Sequence, residues 1–207
     1  MSAPAEPAAI PRTPRQEQRC AQILESAQLL LHEREYEQVQ VREVAEHAGV
    51  ALGTLYRYFP SKELLYAHAL LAWSDTFEHR VLSRDPETTN DADRLRALLR
   101  GAVRAYERAP NFFRLLTILE VTPDPAAREV YARFSRRFTT VLDDALVDTH
   151  EDDAASIAFV AGAALGVALR GWALQGRPIR TTYEHVDATV DLIFGEPRRQ
   201  SSSVGMS

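Results

Sequence analysis

The chain has 207 residues, 45% of them hydrophobic, which is enough for one or two domains with buried cores. Its one cysteine, Cys20, excludes an internal disulfide and fits a reducing cytoplasm, where the protein is expected to reside. The formal charge of −5 excludes a bulk-electrostatic case for nucleic-acid binding, and residues 1–66 do not change this, with seven Lys and Arg against nine Glu.

The opening MSAPAEPAAIPRTP lacks the basic start and apolar centre of a signal peptide. Residues 1–13 are expected to be a disordered arm, 14–60 a first domain, 61–195 a second, helical domain, and 196–207 a loose tail. The first helix starts at Thr13-Pro14-Arg15-Gln16, a capping box with Pro at the first helical position. Ile23, Ala27, Leu30 and Leu31 then form an apolar stripe at helical spacing. A short second helix runs from Val41 to Ala48 and stops at Gly49; a third runs from Leu52 to Phe59 and stops at Pro60. Ser61 caps a long fourth helix that reaches about Leu82.

After the loop DPETTN, a fifth helix begins near Asp91, and a sixth spans Asn111 to about Val121. Asp124-Pro125 starts a seventh, with Tyr131, Phe134, Phe138, Val141, Leu142 and Ala145 at helical spacing. An eighth runs from about Asp153 to Gln175. A ninth opens with Thr181 and Glu184 as a capping box and ends at Gly195. No strand pair or hairpin turn is visible, so the fold class is all-α with nine helices, three of them N-terminal.

Residues 41–62, VREVAEHAGVALGTLYRYFPSK, carry the most specific pattern. Ala45 is small where two helices would cross, and Gly49, four residues on, can take the left-handed conformation of a sharp inter-helix turn. Val50 and Leu55 anchor either side, which makes this a helix-turn-helix. From about Arg19 to Leu65, and most specifically at AGVALGTLYRYFPSKELL, the sequence resembles the TetR (tetracycline repressor) family. The resemblance implies a recognition helix in the major groove and a dimer on a palindromic operator. Carried over by position, Gly53, Thr54, Tyr56 and Arg57 lie near base edges and adjacent phosphates, with Gln40, Arg42, Tyr58 and Lys62 as backbone clamps. Arg12 and Arg15 could reach the minor groove or a phosphate. The chain departs from the family at Glu35, Val39 and Ala51, where Gly, Thr and Ser are usual. Ala51 has no side chain with which to cap the third helix.

In the body, Leu98, Val103, Tyr106, Phe112, Leu116, Leu119, Phe134 and Phe138 are read as lining an apolar cavity for a small-molecule effector. Few charges interrupt these stripes, so the effector is expected to be large and mostly apolar. Within the family, VALGTLYRYFPSK looks most like repressors of sterol and lipid catabolism in actinobacteria. That favours sterol-derived or fatty acyl-CoA ligands over the amphipathic drugs of an efflux repressor. Ligand entry is expected to shift the fourth helix and lower DNA affinity.

The stretch AASIAFVAGAALGVALRGWAL has the length of a transmembrane span and a Gly162-x-x-x-Gly166 pair, but it is rich in Ala and Gly and lacks a basic flank. It is read as a buried dimerising helix and not a membrane helix. The homodimer is expected through the eighth and ninth helices, from Ala154 to Leu174 and from Tyr183 to Phe194.

No enzyme chemistry and no cofactor site are indicated. Asp148, His150, Asp152 and Asp153 sit in a loop without metal-ligand spacing, Glu43 and His47 read as a surface pair, and Cys20 has no activating neighbour. A helical adaptor without DNA binding is the competing class, motivated by the acidic N-terminal region.

Overall fold

In the computed structural model the described residues are 13–82 and 90–195, with side chains described outside 76–82. The expected arm and tail, Arg12 and most of the DPETTN loop lie outside them. Among the described residues the fold is nine α-helices and one 3₁₀ turn, with no strand.

The N-terminal unit comprises α1 (Pro14–Glu33), the 3₁₀ turn Tyr36–Gln38, α2 (Val41–His47) and α3 (Leu52–Tyr58). Thr13 accepts from the amide of Gln16, whose side chain accepts from the amide of Thr13, completing the expected capping box. Ile23, Ala27, Leu30 and Leu31 are all buried against the rest of the molecule. One turn is too short for a periodic pattern, so the 3₁₀ turn was not legible beforehand.

The long α4 (Lys62–Leu82) joins this unit to the body, α5 (Asp91–Arg108), α6 (Pro110–Glu120), α7 (Pro125–Asp144), α8 (Glu151–Ala173) and α9 (Ile179–Phe194). Local chemistry sets most helix starts. Ser61 Oγ accepts from the amide of Leu64, Asn90 caps α5, Asp124 caps α7 through the amides of Ala126 and Ala127, and His150 caps α8.

The start of α9 differs from expectation. It begins at Ile179 after Pro178, and Thr181 and Glu184 lie inside the helix, with Glu184 paired to Arg180 at 2.9 Å. Gly176 turns the chain with φ of +71° and the extended Pro178 then sets the entry, so no side-chain cap is needed at Thr181.

Asp91 is buried and fastens the loop before α8 to the start of α5. It accepts from Thr149 Oγ1 at 2.6 Å and from the amide of Asp148, and it pairs with Arg94. Arg94 also binds Asp148, and His150 is committed to its cap. The Asp and His residues here are therefore structural, and no metal-binding cluster exists among the described residues.

Candidate nucleic-acid interface and effector cavity

The turn between α2 and α3 follows from its sequence. Gly49 has φ of +64°, its amide donates to the Glu46 carbonyl at 3.1 Å, and the amide of Val50 donates to the Ala45 carbonyl at 3.0 Å. These two bonds form a Schellman motif, and glycine holds the left-handed position without steric cost. Ala45 is buried where α2 meets the rest of the unit. As its side chain dictates, Ala51 provides no cap for α3.

The third helix is amphipathic. Leu55 and Phe59 are buried, while Gly53, Tyr56 and Arg57 share the opposite exposed face. Thr54 and Tyr58 are half-buried, and the Arg57 guanidinium lies 6.0 Å over the Tyr58 ring. Arg57 forms no ion pair among the described residues. A Cβ built on Gly53 would meet nothing within 4 Å, so the backbone is open there to close approach.

The flanking residues are more engaged. Arg42 lies beside Glu46 at 3.4 Å on the surface, and Gln40 is exposed. Lys62 Nζ donates to the Tyr36 carbonyl at 2.5 Å and sits 4.2 Å over its ring. Lys62 therefore holds the 3₁₀ turn. Its burial also lowers its pKa despite Glu37 and Glu63 nearby. The Glu43–His47 surface pair does not form. Glu43 instead binds Arg34 at 2.9 Å and the amide of Gln40, while His47 Nδ1 lies 3.1 Å from Ser26 Oγ. The Glu43 carboxylate of this acidic unit is thus turned to partners within the chain.

In the body, a cavity of about 350 Å³ opens between α5, α6, α7 and α8. Of the eight residues read as lining it, Tyr106, Leu116, Phe134 and Phe138 do so. Leu98, Val103, Phe112 and Leu119 are buried elsewhere in the core; Phe112, for example, stacks on Trp73 at 4.6 Å between centroids. Sequence missed the contribution of α8, where Phe159, Gly162, Gly166 and Arg170 line the cavity. A Cβ on Gly162 would lie 3.5 Å from Leu142 and 4.0 Å from Phe138, so Gly162 faces α7, and Gly166 lines the cavity beside it. The outward stripe of α8 is instead Phe159, Val160 and Val167, continued by Leu174 at its cap. The helix is long and apolar enough to cross a membrane by composition, yet its inner face packs on α7 and α9.

The two regions are tied together by side chains. Ser61 Oγ donates to Asp124, joining the start of α4 to the start of α7. Arg114 of α6 pairs with Glu35, and Asn111 donates to the Leu31 carbonyl at 3.0 Å. The Ser61 hydrogen bond, with the amides of Ala126 and Ala127, holds the Asp124 carboxyl below its ordinary value.

Residues 23–69 match the model of bacterial regulatory proteins of the tetR family, from the middle of α1 through α2 and α3 into the start of α4. This segment is a TetR-family helix-turn-helix domain, and the relatives support a TetR-family regulator. The chain is a helix-turn-helix, DNA-binding transcription regulator. It is 29% identical to the HTH-type transcriptional repressor KstR of Rhodococcus jostii over 89% of this chain and 87% of that protein. A TetR transcriptional regulator from Rhodococcus sp. RHA1 superposes with a TM-score of 0.72 at 25% identity, over 89% of this chain and 99% of that one. The regulator FadR of Bacillus subtilis, solved with stearoyl-CoA, shares the fold at a TM-score of 0.65 and 18% identity, over 84% of this chain and 96% of FadR.

Proposed function

We propose that the protein is a dimeric repressor that binds a palindromic operator through α3 of each copy and is released when a largely apolar effector enters the body cavity. The observation that carries this reading is the face of α3: Gly53, Tyr56 and Arg57 exposed together, on a helix fixed from behind by Leu55 and Phe59. Arg57 reads a base edge, guanine by preference; Tyr56 and Thr54 contact phosphates or adjacent bases; and the open backbone at Gly53 admits the DNA. Gln40, Arg42 and Tyr58 clamp the DNA backbone, and Lys62 sets the position of the turn beside them.

Dimerisation uses the outward stripe of α8 and Leu192 of α9, apolar side chains that are each at least half exposed in the single chain. A second copy covering Phe159 would also close one side of the cavity, because that residue lines it. The division into a reading unit of residues 14–60 and a body of 61–195, joined by α4, follows the same logic.

The cavity supports a sterol-derived or fatty acyl effector. Its volume falls in the range of small-molecule sites, and aromatic and aliphatic side chains dominate its wall. FadR shows that this fold can house a long acyl-CoA. Effector entry would act through α6 and α7 on Arg114–Glu35 and Asp124–Ser61, shifting α4 and the spacing of the two α3 helices.

The test is capture of genomic DNA by the purified protein, with sequencing of the fragments and gel filtration of the same sample. A palindrome enriched by a dimer is the expected outcome. A monomer, or a dimer that enriches no sequence, contradicts the reading and favours a helical adaptor.

A further inference from the structure

Among the described residues lining the cavity, Arg170 is the one cation and Glu120 the one anion, and they pair with each other at its mouth. Arg170 is also the only charged residue of α8 after Asp153. Its Nη2 binds Glu120, while Nη1 lies where it would be 3.4 Å from a Cβ on Gly166, along the cavity wall. The Tyr131 hydroxyl, also in the lining, is hydrogen-bonded to Glu120. Both charged side chains are less than half exposed, yet neither is sealed from water. As an exposed pair they contribute little to stability. At the mouth of an apolar cavity they do something else: they place a guanidinium, occupied by an exchangeable carboxylate, where the polar end of an amphipath would emerge.

We propose that Arg170 is the head-group residue of the cavity and takes the carboxylate or phosphate of an anionic amphipath in the position now held by Glu120. This rests on the cavity being the effector site and adds the charge of the effector and the residue that reads it. Carboxylate and phosphate each offer two oxygens that the planar fork of a guanidinium can bind together. Displaced, Glu120 returns to solvent on its exposed side, so no carboxylate is left buried without a partner. The exchange acts at the last residue of α6. Two residues on, Thr122 Oγ1 accepts from the amide of Asp124 at 3.4 Å, and Asp124 holds Ser61 at the start of α4. The anion is therefore read at the end of the strut that reaches the DNA-binding unit.

The experiment is calorimetric titration of the full-length protein with dodecanoate, dodecyl phosphate and dodecanol, each below its micelle concentration. Wild type is expected to bind at least one anion about tenfold or more tightly than dodecanol, the scale of one charge-assisted hydrogen bond. Which anion is favoured separates a carboxylate from a phosphate head. Arg170→Gln should lose that preference while binding dodecanol as wild type does, Arg170→Lys should keep part of it, and Glu120→Gln should bind the anion several-fold more tightly. Thermal melts of each variant exclude a folding defect. Equal binding of anions and alcohol, or a preference that survives Arg170→Gln, overturns the proposal while leaving the cavity in place. Failure of dodecanol and both anions to bind overturns the cavity reading and this proposal together.

Discussion

A Cβ added at Gly53 meets nothing within 4 Å, so the fold has no use for a glycine there. In the middle of a helix, glycine costs up to about 1 kcal/mol against alanine. Gly53→Ala should therefore leave the melting temperature unchanged or raise it, while DNA affinity falls about tenfold or more where a phosphate or base edge approaches the backbone. Thermal melts and anisotropy titrations of the same preparation check both. A stability loss would place Gly53 in the fold and not at the interface.

Asp91 presents the opposite case. Burial alone would raise its pKa, but bonds from Thr149, the Asp148 amide and Arg94 outweigh that and hold it below the ordinary value. A depressed folded value contributes stability that is fully present above about pH 4 and is lost as pH falls through the folded value. Asp91→Asn should cost about 1–3 kcal/mol at neutral pH and flatten the acid limb of the stability profile, measured by denaturant unfolding across pH.

At the scale of elements, legibility depended on how local the determining chemistry was. The starts of α1, α4 and α7 were readable because Thr13 with Gln16, Ser61, and Asp124 with Pro125 cap through bonds spanning two or three residues. The start of α9 was misread because Thr181 and Glu184 have the spacing of a capping box, while Pro178 had already set the helix entry. The α2–α3 turn was readable for the same local reason, with Gly49 and Ala45 fixing both its ends.

Faces were harder to read. A helix apolar all round, like α8, does not say which side meets which neighbour, so the lining of the cavity by Gly162 and Gly166 was not legible in the sequence. Lining and core share one composition as well, so the sequence does not separate Tyr106 and Phe134, which line the cavity, from Phe112 and Leu119, which are buried beside it. The exposed stripe of α8 carries its own prediction. Val167 is 69% exposed in the single chain, so Val167→Arg should leave the monomer's fold intact and shift gel filtration toward the monomer. A variant that stays dimeric would move the interface off this face.

Across the whole molecule, the departure at Glu35 acquires a role. Where the family usually has glycine, this chain has a carboxylate that reaches Arg114 on a cavity helix. Both side chains are close to half exposed, so Glu35→Gln should change stability by no more than about 0.5 kcal/mol. It should nevertheless shrink the fold-change in DNA affinity that dodecanoate produces. An unchanged response would leave Asp124–Ser61 as the link between α7 and α4. The chain's −5 charge has its place at this scale too. Glu35 and Glu43 are spent on internal partners, which leaves α3 to present Arg57 without a neighbouring carboxylate pair.

The central claim is that α3 reads DNA by sequence. The most direct test is an anisotropy titration of a captured palindrome and a scrambled duplex over rising salt, with wild type and Arg57→Ala. The account predicts wild-type binding that weakens steeply with salt and favours the palindrome by about 10³ or more, with Arg57→Ala losing most of that preference. Equal affinity for the two duplexes, or binding indifferent to salt, would contradict it.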